Sequence, residues 1–253
     1  MQCPRAVFFD LDDTLAESFH APSPEILAGL GKLLERMPVA IITGASFQRM
    51  HEQFLSSFEN HPRADRFYIF PTSSSQAYNY AQGKWEFLYN LALTDEGRSR
   101  IKKAISEAVA GIQELGGIPH YGEQMIDRES QVAYTHVGID ASGDVKRTWD
   151  TDGSKRGLLW KALKRSLPDF EVLMGGVTTI DITRKDVNKS YGVGWLSKRL
   201  GIPPSDMLYV GDALYPGGND EVVIATGVQT RSVSGPAETQ QIIDGLVKVC
   251  GAR

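Results

Sequence analysis

The sequence predicts an α/β protein: a doubly wound, Rossmann-like parallel sheet as the core, with an α+β domain inserted into it. Short apolar runs alternate with helical patterns near the start of the chain, and this alternation returns near its end. Between them, polar alternation is typical of half-buried antiparallel strands. The predicted core therefore comprises residues 1–80 and 186–253, and the predicted insert comprises residues 81–185.

The first core segment is predicted from its apolar runs and helix signals. Three short runs rich in β-branched and aromatic side chains predict buried strands: Ala6–Phe9, Val39–Ile42 and Phe67–Phe70. Ser23 and Pro24 are typical of a helix start, and Pro38 ends that helical pattern. A second helix is expected from about residue 47 to residue 58. Strands and helices at this spacing favour parallel pairing through right-handed crossovers.

The later elements follow from the same patterns. The insert is expected to contain two helices, Glu96–Leu115 and Lys155–Leu167. It is also expected to contain several antiparallel strands, within residues 122–140, 171–174 and 178–183. The second core segment is expected to contain a helix at Asn188–Leu200, a strand at Met207–Val210 and a second helix that begins near Pro236.

Charge and composition limit the partners of the protein. A formal net charge of -4 argues against a general affinity for nucleic acid or for anionic membranes. No apolar run is long enough to span a bilayer, and the first residues lack the pattern of a signal peptide. We therefore expect a cytoplasmic protein. Cys3 and Cys250 lie near opposite ends of the chain, and we expect both to be reduced thiols.

Two aspartates follow the first predicted strand. Asp10 and Asp12 leave its carboxyl end, where open α/β sheets bind ligands. Alternation along a strand places both side chains on one side, where two carboxylates would repel each other and lose hydration. A Mg²⁺ ion, which prefers oxygen ligands, would remove the difficulty. The alternative is a turn with solvated aspartates, and the position directly after a buried strand favours the functional interpretation.

Two other segments could bind phosphate. Val39–Ile42 is followed by Thr43 and Gly44, whose hydroxyl and backbone N–H groups suit phosphate oxygens, although Ser46 could simply cap the next helix. Lys189 stands at a predicted helix start, where a cation is unfavourable because of the helix dipole. A nearby anion would explain it, and an exposed lysine is the alternative.

A second acidic group follows the predicted strand at Met207–Val210. Asp212 comes directly after its end, and Asn219 and Asp220 follow a loop rich in glycine and proline. Turns also favour these residue types. An acidic cluster at a second strand end is nevertheless hard to explain as a turn alone.

Together, these four segments resemble the signature of the haloacid dehalogenase-like superfamily of phosphotransferases. DLDDT, ITGAS, the lysine in DVNKS and the acidic GDALYPGGND loop occur in the family's order, and the insert lies where the class IIB members carry a large cap. The chain is most similar to the eukaryotic phosphomannomutase family, through FYIFPTSSSQAYNYAQGKW, MGGVTTIDITRKDVNK, GDALYPGGNDE and SVSGPAET. The resemblance covers nearly the whole chain.

The resemblance implies roles for the core residues. Asp10 would be the nucleophile that forms an aspartyl-phosphate, and Asp12 would carry the proton. Mg²⁺ would be held by the Asp10 carboxylate, the Asp12 main-chain carbonyl and the Asp212 carboxylate. Phosphate oxygens would be bound by Thr43, Gly44 and Lys189, while the metal's waters and Lys189 would be positioned by Asn219 and Asp220. Asp13, where many relatives carry glycine, receives no chemical role.

In the insert, Arg128, Thr179 and Asp181 are the candidates for substrate contact. Two of them have an alternative: Arg128 could pair with Glu129 or Asp127 on the surface, and Asp181 could cap the end of its strand. We expect His120 and His136 on the surface of the insert, and their spacing indicates no transition-metal site.

A few residues separate two reactions. Phosphomannomutases carry an RNGxxNxSPxGR motif that binds a second phosphate, whereas this chain has RESQVAYTHVGI, with Glu129 for the asparagine and Ile139 for the final arginine. Glu129 beside a phosphate would be electrostatically adverse. In addition, Thr43-Gly44 is the commoner phosphatase form.

The sequence therefore favours a Mg²⁺-dependent phosphatase of a small phosphorylated metabolite, expected to be a sugar phosphate. A phosphomannomutase is the alternative. A catalytically silent phosphosugar-binding protein is a third, against which the complete set of core residues speaks, because a binder needs no nucleophile. The resemblance leaves a homodimer through the insert open.

Overall fold

The computed structural model describes residues 3–251. By its internal contacts the chain divides into two compact units: a core unit, Met1–Asn90 with Lys189–Arg253, and an insert unit, Leu91–Asn188. The sequence predicts the boundaries of the insert near residues 80 and 185. In the structure, the residues between 80 and 90 continue the core sheet.

The core unit is built on a twisted sheet. In the described part of the chain this sheet has seven strands in the order β11-β10-β1-β2-β3-β4-β5. The strands are β1 (Ala6–Phe9), β2 (Val39–Ile42), β3 (Phe67–Phe70), β4 (Gln76–Ala81), β5 (Lys84–Asn90), β10 (Met207–Gly211) and β11 (Gln229–Ser232). Pairing is parallel from β11 to β3 and antiparallel for β4 and β5. The predicted doubly wound parallel core is confirmed, with an antiparallel hairpin at one edge.

Helices cover both faces of the core sheet. They are α1 (Pro24–Leu34), α2 (Phe47–Gln53), α6 (Lys189–Leu200) and α7 (Pro236–Cys250). Strand side chains such as Val7 and Phe9 pack with the apolar residues of α1, α2 and α7. Phe8 points to the other face and packs with those of α6. This two-sided burial explains why the central strands are apolar at every position.

The insert unit is a four-stranded antiparallel sheet of order β6-β7-β9-β8 in the described residues. Its elements are α3 (Asp95–Gly111), β6 (Met125–Asp127), β7 (Val132–Thr135), α4 (Gly143–Thr148), α5 (Ser154–Ser166), β8 (Phe170–Gly175) and β9 (Thr179–Arg184). Val132, Tyr134, Ile180 and Ile182 lie in one apolar cluster with residues of α3 and α5. Alternation therefore leaves a second, polar face on this sheet.

Several helices end earlier than their patterns predicted. α2 stops at Gln53, because Phe54 adopts a φ of -159°, and a single 3₁₀ turn continues to Phe58. α3 stops at Gly111, before an extended Ile112. None of the helices in residues 3–251 is both long and apolar enough to cross a membrane.

A disulfide bond joins the two cysteines. Cys3 precedes β1 and Cys250 ends α7, and their Cα atoms lie 5.3 Å apart. The prediction of two reduced thiols is therefore wrong. The sequence could not indicate the bond because the partners are 247 positions apart, and only the packing of α7 beside α1 brings them together.

Candidate active site

The predicted core site residues converge where the parallel strands end. Asp10 follows β1, Thr43 follows β2, and Asp212 follows β10, and these three strands are neighbours in the sheet. Parallel strands end at the same edge, so their next residues lie close together. Lys189 is the first residue of α6.

Lys189 lies at the centre of a buried ion cluster. Its ammonium group donates to Asp10 Oδ1 at 2.7 Å and to Asp220 Oδ1 at 2.6 Å, and it lies 3.5 Å from the Asn219 side-chain oxygen. Only 4% of Lys189 is exposed. Burial alone lowers the pKa of Lys189, but the charges of Asp10 and Asp220 outweigh it and raise the pKa above its ordinary value. Lys189 is therefore not the exposed lysine of the alternative interpretation, and two carboxylates of the protein supply a nearby anion.

Asp220 is held by three donors of the protein. Besides Lys189, its Oδ1 accepts from the Tyr209 hydroxyl at 2.5 Å, and its Oδ2 accepts from the Ala213 N–H at 3.2 Å. Burial and the adjacent carboxylates raise the pKa of Tyr209, so its phenol stays protonated and donates. Gly211 is required here, because a Cβ atom would lie 2.3 Å from Asp220 Oδ2. Sequence reasoning missed Tyr209, since nothing in its strand distinguishes it from a core residue.

The carboxylates outnumber the cation. One oxygen from each of Asp10, Asp212 and Asp220 lies within 4.8 Å of the others, which places three carboxyl groups around the single ammonium group of Lys189. Burial raises the pKa of Asp10 well above its ordinary value. The Lys189 charge opposes this shift, and Asp220 and Asp212 add to it. Burial followed by the charge of Asp220 also raises the pKa of Asp212. A divalent cation with oxygen ligands would relieve this repulsion, so the residues fit such an ion.

Thr14 orients Asp212. The two residues exchange hydrogen bonds: the Thr14 hydroxyl donates to Asp212 Oδ1 at 3.1 Å, and the Asp212 N–H donates to Thr14 Oγ1 at 3.0 Å. Thr14 is fully buried. The threonine that ends the DLDDT segment thus ties the β1 loop to the β10 loop, a role that sequence reasoning did not assign.

Thr43 is braced by a strained segment after β3. Its carbonyl accepts from the Ser73 N–H at 2.8 Å, and its hydroxyl oxygen accepts from the Ala45 N–H at 3.0 Å. Thr72, Ser73 and Ser74 all have positive φ angles of 50°, 56° and 69°, which are costly for residues with side chains. The Ser74 hydroxyl is buried and has no hydrogen-bond partner in the described part of the chain.

Asp12 lies outside the buried carboxylate cluster. Its side chain is 25% exposed and forms a two-point ion pair with Arg49 of α2. Arg49 was not among the sequence candidates, because neither α2 nor its pattern marks this position. Asp13 has a φ of 59°, which explains why glycine suits the position, and its carboxylate accepts from the Ser18 N–H and hydroxyl.

The insert candidates share the polar face of their sheet. Asp181 is opposite Ala133 and Thr179 is opposite Thr135, so alternation places these side chains on the face away from the apolar cluster. Gln131 lies on the same side by its spacing. Asp181, Thr135 and Gln131 are almost fully buried.

Arg128 binds this face through Gln131. Its guanidinium donates to Gln131 Oε1 at 2.8 Å. The neighbouring Asp127 accepts from Lys102 at 2.6 Å and from the Glu129 N–H at 3.0 Å, and it lies 3.6 Å from Arg98. Gln131 is thus a further polar member of this face that the sequence did not single out.

Glu129 occupies a turn. It is exposed and has a φ of 61°, a conformation that asparagine and glycine adopt more readily. Glu129 in place of the family's asparagine therefore affects the backbone conformation of this turn at least as much as a contact with phosphate. Ile139 is 45% exposed.

The two insert histidines differ. His120 is exposed, as expected, but His136 is only 4% exposed, so the expectation of a surface residue is wrong for it. Its Nδ1 lies 2.8 Å from the Tyr134 hydroxyl, and its ring stacks on Trp149. Burial lowers the pKa of His136, which keeps the ring neutral.

The fold and the site together define the class. A doubly wound core with an inserted α+β unit, and a lysine, a threonine and several aspartates at adjoining strand ends, are the features of haloacid dehalogenase-like phosphotransferases and phosphatases. Within this class, the family model described as eukaryotic phosphomannomutase matches residues 26–249. The chain belongs to the eukaryotic phosphomannomutase family.

Individual relatives are distant. A probable phosphomannomutase of Caenorhabditis elegans is 21% identical over 248 residues, covering 95% of this chain and 94% of the relative. The phosphomannomutase of Spinacia oleracea is 22% identical over 239 residues, covering 92% of each.

Solved structures share the fold. The IMP-bound, N-terminally truncated IMP-nucleotidase of Plasmodium falciparum has a TM-score of 0.71 at 17% identity, covering 97% of this chain and 68% of that chain. The trehalose-6-phosphate phosphatase of Aspergillus fumigatus has a TM-score of 0.56 at 17% identity, covering 97% and 93%.

Proposed function

We propose that the protein is a Mg²⁺-dependent phosphatase of a small phosphorylated metabolite, with a sugar phosphate as the expected substrate class. The observation that carries the proposal is the buried cluster of Asp10, Lys189, Asp212 and Asp220 at the carboxyl edge of the core sheet. A nucleophilic carboxylate beside a buried cation suits attack on an anionic phosphate ester.

In the proposed reaction, different side chains supply the nucleophile, the proton and the phosphate-binding groups. Asp10 attacks phosphorus, so that the new Asp10 O–P bond forms as the ester P–O bond breaks, and Asp12 gives its proton to the departing oxygen. In the second step Asp12 takes a proton from water, the water oxygen bonds to phosphorus, and the aspartyl-phosphate bond breaks. Thr43, Gly44 and Lys189 bind the phosphate oxygens throughout.

The metal would be held mainly by Asp10 and Asp212, with the Asp12 main-chain carbonyl as a further ligand. The hydrogen bonds to Asp220 support a different role for that residue: its oxygens accept from Lys189, Tyr209 and Ala213, so it positions Lys189. When bound, Mg²⁺ would neutralise phosphate charge and orient the group for in-line attack.

The insert residues support hydrolysis over mutase chemistry. A mutase must bind a second phosphate firmly, for which paired arginines are typical. Here Arg128 is engaged with Gln131, and position 139 is an exposed isoleucine. Arg128, Thr179 and Asp181 would contact the substrate's polar groups. The second candidate function, a phosphomannomutase, is favoured by the family and by the two relatives described above.

Hydrolysis of 4-nitrophenyl phosphate tests the enzyme itself. We expect Mg²⁺-dependent release of 4-nitrophenol that Asp10→Asn abolishes. Asp13→Asn is the matched control, because asparagine also tolerates the positive φ, and it should retain activity. A protein without Mg²⁺-dependent turnover would instead be the silent phosphosugar-binding relative.

A second assay separates the two reactions. The protein is incubated with mannose 1-phosphate and a trace of the mannose bisphosphate, and free phosphate and mannose 6-phosphate are measured. We expect free phosphate. Stoichiometric mannose 6-phosphate without free phosphate would establish the mutase and overturn the phosphatase proposal.

Metal binding is tested apart from turnover. Calorimetric titration with Mg²⁺ should give saturable binding to the wild type, and Asp212→Asn should weaken it at least about tenfold, because one of the carboxylate ligands loses its charge. Unchanged binding by Asp212→Asn would remove this residue from the ligand set.

A further inference from the structure

Arg49 binds the side chain that is proposed to carry the proton. Its Nη2 donates to Asp12 Oδ1 at 2.8 Å, and its Nη1 lies 3.3 Å from Asp12 Oδ2. The two residues are 37 positions apart, on α2 and on the loop after β1. The contact therefore depends on the packing of the core unit and on no local motif.

The surroundings hold Arg49 in this place. Its guanidinium lies 5.5 Å above the centre of the Phe19 ring, and the Phe19 N–H donates to Asp12 Oδ1 at 3.2 Å. Gln53, also on α2, donates to the Phe19 carbonyl at 3.2 Å. About three quarters of each side chain of the ion pair is covered, at 26% and 25% exposure. Arg49 and the Phe19 N–H thus bind one carboxylate group, and Gln53 ties Phe19 to α2.

The donors are distributed unequally over the two oxygens of Asp12. Oδ1 accepts a short bond from Arg49 and a second bond from the Phe19 N–H, whereas among residues 3–251 the one contact given for Oδ2 is the longer one with Arg49. An oxygen that accepts two bonds has little room for a proton, and a 3.3 Å contact is weak and easily opened. The unequal contacts select one oxygen for chemistry.

We propose that Arg49 is a positioning residue that anchors Asp12 through Oδ1 and leaves Oδ2 to take and give the proton. This inference rests on the proposed function, in which Asp12 protonates the leaving oxygen. In the first step the Oδ2–H bond breaks and the proton passes to the ester oxygen as its bond to phosphorus breaks. The ion pair at Oδ1 persists, so the carboxyl group keeps its direction during the transfer.

The alternative is that Arg49 only ties α2 to the loop after β1. Both interpretations predict that removal of Arg49 lowers stability somewhat, since a partly exposed ion pair contributes about 1 kcal/mol or less. They differ in the expected effect on catalysis, because a residue with only a structural role should affect the hydrolysis of esters with different leaving groups equally.

The test compares two substrates in three variants. Phenyl phosphate has a leaving group that needs a proton, whereas 4-nitrophenolate is stable as an anion and leaves without one. The value of kcat/KM reports the steps up to ester cleavage. It is measured for both substrates with Arg49→Met, with Arg49→Lys and with the control Gln48→Met, which changes an exposed neighbour on α2. Thermal denaturation of each variant verifies folding.

Arg49→Met should lower kcat/KM for phenyl phosphate about 10- to 100-fold and for 4-nitrophenyl phosphate less than about threefold, as expected for impaired general acid catalysis. Arg49→Lys should recover part of the loss, because it keeps one donor. Gln48→Met should change neither value. Equal losses for both substrates, or no loss, would overturn the role of Arg49.

Asp12→Asn distinguishes this failure from that of the proposed function. If Asp12→Asn shows the leaving-group difference and Arg49→Met does not, the inference about Arg49 is wrong and the proton role of Asp12 stands. If Asp12→Asn shows no such difference, the proposed role of Asp12 is wrong and the inference about Arg49 is overturned with it.

Discussion

The core unit and the insert unit gather polar groups in opposite ways. The core places full charges together: Lys189 and three carboxylates lie close to one another, and Asp10, Lys189 and Asp220 are almost fully buried. On the polar face of the insert, most of the convergent groups are neutral, such as Gln131, Thr135 and Thr179, and they are ordered by strand alternation.

Under the proposed function, this difference would reflect two tasks. Phosphoryl transfer needs concentrated charge that is held before the substrate arrives, because reorganisation during the reaction is costly. Recognition of a sugar-like molecule needs hydrogen-bonding groups that can differ between relatives without loss of the chemistry. The core can bear its charge because the cluster is anchored by the buried Tyr209 and Thr14, and because the disulfide adds stability to that unit.

The disulfide provides the largest test of this contrast. Both cysteines belong to the core unit, and the bond closes a sequence separation of 247 residues. Reduction should lower the free energy of unfolding by on the order of 5 kcal/mol, because the unfolded chain gains entropy. Thermal denaturation with and without reductant measures it, and Cys250→Ser should be destabilised and insensitive to reductant. A wild-type unfolding curve that is unchanged by reductant would contradict the prediction.

The next test removes the central cation. Lys189→Met leaves the buried Asp10 and Asp220 without their partner, which should cost about 3–5 kcal/mol and abolish turnover. Chemical denaturation and the 4-nitrophenyl phosphate assay measure the two effects. Lys185→Met, at an exposed lysine just before α6, is the control and should change stability little. A stable Lys189→Met variant would mean that the core does not depend on its charge cluster.

The insert should respond to pH through His136. Burial lowers its pKa, so below about pH 6.5 the unfolded chain binds a proton that the folded chain does not. Its contribution therefore makes the protein less stable as the pH falls through that region, by at most about 1.4 kcal/mol per pH unit. His136→Gln should flatten the dependence of stability on pH between 7 and 5, whereas the exposed His20→Gln should not. Parallel curves for wild type and His136→Gln would refute the assignment.

The smallest expected effect concerns strain beside the core site. Ser74 has a φ of 69° and a buried hydroxyl without a partner in residues 3–251. Ser74→Gly should therefore stabilise the protein by about 0.5–1 kcal/mol. Ser75→Gly is the matched control: Ser75 has a φ of -72° and its hydroxyl bonds to Thr72, so this change should destabilise. Denaturation curves that show the reverse order would exclude strain at Ser74.

Elements that depend on neighbouring residues could be predicted from the sequence, whereas contacts between residues far apart in the chain could not. β1, β2, β3 and β10 were predicted because each is a short apolar run with its own end signals. The hairpin of β4 and β5 was not predicted, since its aromatic, mixed pattern resembles neither a buried strand nor a helix. Gln82 and Gly83 form the turn of this hairpin, both at positive φ, and so the crossing to the insert lies further along the chain.

The sequence by itself determined the class of fold, the order of the four core segments and the identities of Asp10, Thr43, Lys189 and Asp212 as site candidates. These follow from local patterns and from motifs that carry their own spacing. Only the tertiary structure decided that Cys3 meets Cys250, that Tyr209 holds Asp220 and that Arg49 holds Asp12. Each of these contacts depends on the tertiary arrangement of the segments that it joins, and no local pattern records that arrangement.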